Sequence, residues 1–301
     1  MWIPLLAALC STVPIDSCPC RGCGPRNDSL SRGTSLPFVF ESSSSSFKVR
    51  SYSSRLSADV IARAAEAQRS HFYWHWREEE DPADWNPRCE IVIHASRGSY
   101  LAAVGRGGET SYGSSWLDVR DRKCHGRRID LLPDAQGRLS ALPHELTHVV
   151  LCDMLDGRIP PRWLDEGIAL LADSAEKQRL HARDLADAQS RRLTFRAVEL
   201  MNLDRYPHAS RVPAFYAQSA SLTGFLARQG KPSLLLEFAE SSLDVGCDRA
   251  LREIYRIDGT AALERAWIAQ TSPAQEYPAA GTPGRELQLA VAGGDSATDG
   301  D

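Results

Sequence analysis

The sequence predicts an α+β fold: a helix, a small and mostly antiparallel sheet, a pair of helices, and a helical C-terminal half. Three observations carry that reading. Short β-branched runs bounded by turn residues cluster between residues 89 and 132. Apolar residues at helical spacing fill most of the chain beyond residue 142. A separate helical pattern over 57–78 precedes the strands. With 301 residues there is room for one sizeable domain or two small ones. A hydrophobic content of 43% and a charged content of 25% are ordinary for a globular protein. The net charge of −4, with dispersed basic residues, gives no reason to expect nucleic acid as a partner. The run Arg120 to Lys123 reads as a solvated turn.

Residues 2–13 form a short apolar opening, too short to span a bilayer as a helix. It resembles the apolar region of a secretory signal, although no positive residues precede it. Ala7-Ala8-Leu9-Cys10 has the outline of a lipoprotein signal, but Leu9 is too large for the position before the cysteine. The expectation is export to a periplasm or cell envelope, with the cytoplasm as the alternative and no transmembrane helix. Cys18, Cys20 and Cys23 lack a fourth ligand nearby and read as incidental to the fold. Residues 24–54 are rich in Ser, Gly and Pro, including the run Ser42 to Ser46, and read as a linker with no core to bury. A single domain is therefore expected over 55–270. A leader and linker over 1–54 precede it, and a Gly-, Ala-, Pro- and Asp-rich disordered tail over 271–301 follows.

Within the domain, Val60, Ile61, Ala64, Ala65 and Phe72 sit at near-helical spacing, with Ser57 as the N-cap. Phe72, Tyr73, Trp74 and Trp76 point to packing against a sheet. His71 and His75 stand four apart without a Glu or Cys in ligand spacing and read as structural or exposed. Cys89 to His94 is β-branched and bounded by Pro87 and Gly98, a strand. Tyr100 to Val104 fits a short helix and Gly105 to Gly108 a turn; Trp116–Val119 and Arg128–Leu132 fit two more strands. Cys89 and Cys124 precede two of the strands; they can form a disulfide if the protein is exported, or stand as separate thiols.

The helix pair carries the chemistry. Leu142-Pro143-His144-Glu145-Leu146-Thr147-His148 reads H-E-x-x-H inside an apolar run. Residues four apart lie on one helix face, so His144 and His148 can point imidazole nitrogens at one metal ion. Glu145 can reach water on that metal without being a ligand and take its proton. A zinc ion held by two histidines needs a third protein ligand and an open position for water. Glu166, 18 residues after His148, follows Gly157 and Pro160-Pro161. The glycine suits the end of one helix and the prolines the start of the next. Glu166 would then sit in the first turns of the second helix, facing the histidines. Cys152, four after His148, can also face the metal but reads better as a small buried apolar residue.

HELTH followed by Trp163-Leu164-Asp165-Glu166-Gly167 resembles the gluzincin metallopeptidases, in particular the bacterial peptidase-MA-like domains, over residues 140–175. The resemblance continues more weakly through Phe215-Tyr216-Ala217-Gln218-Ser219. It implies zinc as cofactor, His144, His148 and Glu166 as its ligands, Glu145 as general base, and a peptide or protein as substrate. It also implies a sheet edge along which an extended peptide pairs. Gluzincins resemble one another in supplying a Tyr or His from the helical half to the oxyanion. Tyr216, on a helix after Pro213, fits that role best, with His208 of the loop Tyr206-Pro207-His208 as runner-up. There are departures. No G-x-M-E-N segment precedes the helix, and Leu170 stands where thermolysin-like enzymes carry an Asp that orients a ligand histidine. The metzincin extension is absent, with Leu151 in place of its Gly and Met154 in place of its third His.

Beyond Glu166, Leu170, Leu171, Leu180, Leu185, Phe195, Val198 and Leu200 are expected to supply apolar faces. Further helices are expected over 215–229, 232–240, 249–256 and 261–269, punctuated by Gly230, Gly246 and Gly259. The resulting expectation is zinc-dependent hydrolysis of peptide bonds. The alternative is a zinc-binding, non-hydrolytic scaffold or interaction module of the same fold.

Overall fold

The computed structural model describes residues 39–270, apart from 54, 55, 81 and 106. The leader, its three clustered cysteines and the tail lie outside the described residues. From residue 39 onward the expected linker gives way to structure: β1 (Phe40–Ser43) and β2 (Phe47–Ser51) are strands. The serine run hides the alternation. Phe47, Val49 and Ser51 are buried, and the Ser46 N–H donates to Glu66 on the first helix at 2.6 Å. The run thus folds as a tied turn, and the domain begins before residue 55.

The remaining sheet strands are β3 (Cys89–Ile93), β4 (Gly113–Arg120) and β5 (Lys123–Leu131). Their order is β1-β2-β3-β5-β4. The outer pairs β1/β2 and β4/β5 are antiparallel, and the inner pairs β2/β3 and β3/β5 are parallel. The α+β class is as expected, and the sheet is mixed because helices lead into β3 and out of it. α1 (Ala58–Arg77) connects β2 to β3, and α2 (Arg97–Val104) follows β3. Ser57 stands at the N-cap of α1, but its side chain makes no capping bond. Arg120 to Lys123 is a two-residue hairpin turn, with Asp121 and Arg122 both at positive φ as a primed turn requires.

One sheet face carries Phe47, Val49, Ile91, Ile93, Ile129 and Leu131, all fully buried in the core. α1 and α3 (Leu142–Met154) belong to that same core. Ile61, Ala65, Phe72, Tyr73 and Trp76 of α1 are buried, whereas Trp74 points to solvent. The C-terminal end of α3 is pinned by Asp153, whose carboxylate accepts from the Trp85 indole N–H at 2.9 Å, from Arg127 at 2.5 Å, and from the Tyr73 hydroxyl. Arg127 is almost wholly buried, so this pair is one whose breaking would strand a charge. Cys89, Cys124 and Cys152 are separate thiols, and burial raises each of them.

α3 ends where Gly157 predicts. The Gly157 N–H donates to the Cys152 carbonyl at 2.8 Å and the Asp156 N–H to the Asp153 carbonyl at 3.1 Å, a Schellman closure. Gly157 itself has φ +74, and a Cβ there would stand 2.9 Å from the Arg122 backbone. Pro160 and Pro161 precede the next helix instead of forming its first turn, since α4 spans Arg162–Leu171 with Pro161 at the cap.

The helical half comprises α5 (Ala175–Ser190), α6 (Ala197–Met201), α7 (Val212–Ala227), α8 (Pro232–Val245), α9 (Cys247–Ala250), a π-helical turn over Leu251–Tyr255, and α10 (Gly259–Gln270). Leu180 and Val198, expected on apolar faces, are exposed. α5 instead buries Gln178 and Ala188, because it lies on the outside of α7 with only a narrow stripe covered. Among the described residues no helix is long and apolar enough to cross a membrane.

The crossing of α4 and α7 is set by Gly167. A Cβ there would stand 2.0 Å from Thr223 Oγ1 and 2.8 Å from the Ser219 carbonyl. Ala improves helix propensity by about 1 kcal/mol over Gly. Because a packed backbone blocks that methyl, Gly167→Ala should instead lose about 1–3 kcal/mol of stability by overpacking. A chemical-denaturation midpoint at or above that of the parent would contradict this close crossing.

Candidate metal centre

The two helices α3 and α4 bring three predicted residues to one point. His144 and His148 lie one turn apart on α3, and their Nε2 atoms are 3.3 Å from each other. Glu166 Oε2 stands 3.7 Å from His144 Nε2 and 3.9 Å from His148 Nε2. A point equidistant from these three atoms lies about 2.1 Å from each, within the range of zinc–nitrogen and zinc–carboxylate bonds. All three residues are buried, and together they can hold a metal ion.

Glu166 supplies the test of fit. Its side chain is 1% exposed, and its Oε1 accepts the Tyr206 hydroxyl at 2.5 Å. Its Oε2 is buried and, among the described residues, makes no hydrogen bond. A carboxylate oxygen sealed from water without a donor is costly unless a cation meets it. That oxygen is the one that faces the two Nε2 atoms.

The other imidazole nitrogens meet carboxylates that sequence reasoning missed. His148 Nδ1 lies 3.1 Å from Asp165 Oδ2, and His144 Nδ1 lies 3.6 Å from Asp173 Oδ2. Carboxylates behind metal-ligating histidines fix the ring orientation and leave the opposite nitrogen for the ion. Asp165 is the neighbour of Glu166 in the sequence. Asp173 stands seven residues after Glu166, just past the end of α4, and lies behind His144. Lys177 Nζ, 3.0 Å from Asp173 Oδ1, ties that carboxylate to α5.

Glu145 is buried beside the cluster and outside it. Its Cγ and Oε1 lie 2.6 and 2.8 Å from where a Cβ of Gly113 would stand, so the first residue of β4 makes room for it. Burial raises the Glu145 carboxyl, against the pull of His144, His148 and a hydrogen bond to Ser115 of β4. Gly113 is itself held by the Tyr100 hydroxyl, which donates to its carbonyl at 2.7 Å.

Tyr216 is buried on α7 beside the cluster, and its hydroxyl pairs with that of Tyr206. Tyr206 spends its one proton on Glu166, so Tyr216 is the donor in that pair. Burial raises the Tyr216 hydroxyl well above its usual value, with Glu166 and Tyr206 adding to the effect. His208, the runner-up, is exposed and turns back on its own loop, accepting from the Ser210 N–H at 3.4 Å. The residue of that loop in contact with the centre is Tyr206. His71 and His75 stack on each other on α1, and neither is in the ligand cluster. Cys152 likewise stays out of it.

No protein-family model matches the chain, and a comparison with curated proteins finds no match. The chemistry of the centre is therefore read from its own geometry.

In the metal-free protein, burial lowers both histidines but the carboxylates outweigh it. Asp173, Glu166 and Glu145 raise His144 to about 10, and Asp165 and Glu166 raise His148 to about 9. Both therefore carry protons at neutral pH. Values raised above the unfolded value of about 6.5 stabilise the metal-free fold below that pH. That contribution is lost as pH climbs through the folded values of about 9 and about 10. A metal ion must displace these protons, so its affinity should rise with pH across 7–9. Calorimetric zinc titration at pH 7 in buffers of different ionisation enthalpy should report release of about two protons per ion. Release near zero would mean that the histidines are neutral before the ion arrives.

Proposed function

We propose that this chain is a zinc-dependent hydrolase of peptide bonds. The observation that carries the reading is the convergence of three ligand atoms, with an acidic side chain, Glu145, beside them and outside the ligand set. Two imidazoles and one carboxylate form a three-ligand set that suits a catalytic zinc, because a structural zinc takes four protein ligands. The resemblance of HELTH and the downstream Trp163–Gly167 segment to the gluzincin metallopeptidases points the same way.

A zinc ion held there would supply Lewis acidity and lower the pKa of water in the site to roughly 7. Glu145 acts as the general base, accepting the proton of the attacking water and passing it to the leaving amine. Ser115, hydrogen-bonded to Glu145, and the bare Cα of Gly113 orient the base. Asp165 and Asp173, beside the Nδ1 atoms of His148 and His144, would leave both Nε2 atoms to hold an ion. Tyr216 is the candidate donor to the oxyanion; to serve, its hydroxyl must turn from Tyr206 toward the substrate. β4 is an edge strand packed against α3, so an extended peptide pairing with its open side would pass beside Glu145.

Glu145→Gln should retain stoichiometric zinc and lose about 10²–10⁴ in kcat on a peptide-library substrate. Undiminished turnover would contradict the mechanism, and loss of zinc would make Glu145 a ligand. A parent protein that binds zinc yet cleaves nothing would favour the non-hydrolytic scaffold.

A further inference from the structure

Tyr206 lies in the loop between α6 and a single 3₁₀ turn at Ala209–Arg211, with no regular element of its own. It is nonetheless held on several sides. The Arg162 guanidinium sits 4.4 Å from the centre of its ring, and Phe215 meets the ring edge to face at 5.7 Å. The Tyr216 ring lies 6.0 Å away. Arg162 and Glu166 are four apart on α4, so one helix face grips the tyrosine twice: a cation on its ring and a carboxylate on its hydroxyl. The O–H···O distance of 2.5 Å is that of a charge-assisted bond.

The consequence falls on Glu166. A carboxylate can meet an ion through one oxygen or both. Here Oε1 is taken by Tyr206, and Oε2 faces His144 and His148. Coordination by both oxygens would require breaking the tyrosine bond to the buried carboxylate. We propose that Tyr206 is a positioning residue that holds Glu166 as a one-oxygen ligand, keeping the protein contribution to three atoms. The inference rests on the metal-centre reading above. Tyr216 acts through Tyr206 and is secondary to it, because its proton goes to the Tyr206 oxygen and not to Glu166.

The test uses the intact chain with Tyr206→Phe, which removes the hydroxyl and keeps the ring. Chelator competition should show zinc affinity reduced by about 10–100-fold, the usual cost of losing such an outer partner. In the cobalt-substituted protein the visible absorption should weaken and shift as Glu166 swings to bind through both oxygens. Tyr216→Phe, which leaves the Tyr206–Glu166 bond in place, should keep zinc affinity within about threefold of the parent. Tyr206→Phe with parental affinity, or with an unchanged cobalt spectrum, overturns the inference while leaving the metal centre standing. An equal loss in both variants also overturns it, since packing and not the hydroxyl would then be responsible. A parent chain that takes up no ion overturns the metal reading itself, and this inference with it.

Discussion

A buried carboxylate facing two imidazoles is the constraint around which this molecule is arranged. Glu166 Oε2 is shut away from water between two imidazoles. Leaving a charge in such a place costs several kcal/mol unless a partner ion compensates it. In the metal-free chain the two protonated histidines do so, themselves held up by Asp165 and Asp173. The set as a whole carries more carboxylates than imidazoles, an environment that favours a dication.

The scaffold serves that arrangement at two crossings. α3 is laid on the sheet and pinned at its end by Asp153, which fixes the direction of the histidine face. α4 is drawn against α7 through Gly167, the residue after Glu166, which sets the depth of that carboxylate. The Schellman closure at Gly157 reverses the chain between the two helices. β4 reaches the site from the other side, where a missing Cβ at Gly113 leaves room for Glu145. Close backbone approach at Gly167 and Gly113 and the polar anchor at Asp153 together set the geometry.

The parts of the centre that depend on one helix were legible in the sequence. His144 and His148 follow from helical spacing, and Glu166 from a glycine and two prolines that mark a turn between helices. Asp173 was also within reach, since seven residues after Glu166 returns to the same face. It lies just past the end of α4, where helical spacing is no longer assured. Tyr206 carried no signal, because a loop residue has no period and only the fold brings it to Glu166. The same loop drew attention to His208, which faces solvent instead. β1 and β2 were masked for a different reason: consecutive serines look like linker composition, and only Phe47 and Val49 betray the alternation of a buried strand.

The most direct test of the central claim is X-ray absorption at the zinc edge on protein loaded with one equivalent of zinc. The account predicts a first shell of nitrogen and oxygen only, at about 2.0–2.2 Å, with the outer-shell pattern of two imidazoles. A shell containing sulfur near 2.3 Å, or one without imidazole scattering, would place the ion elsewhere and contradict it.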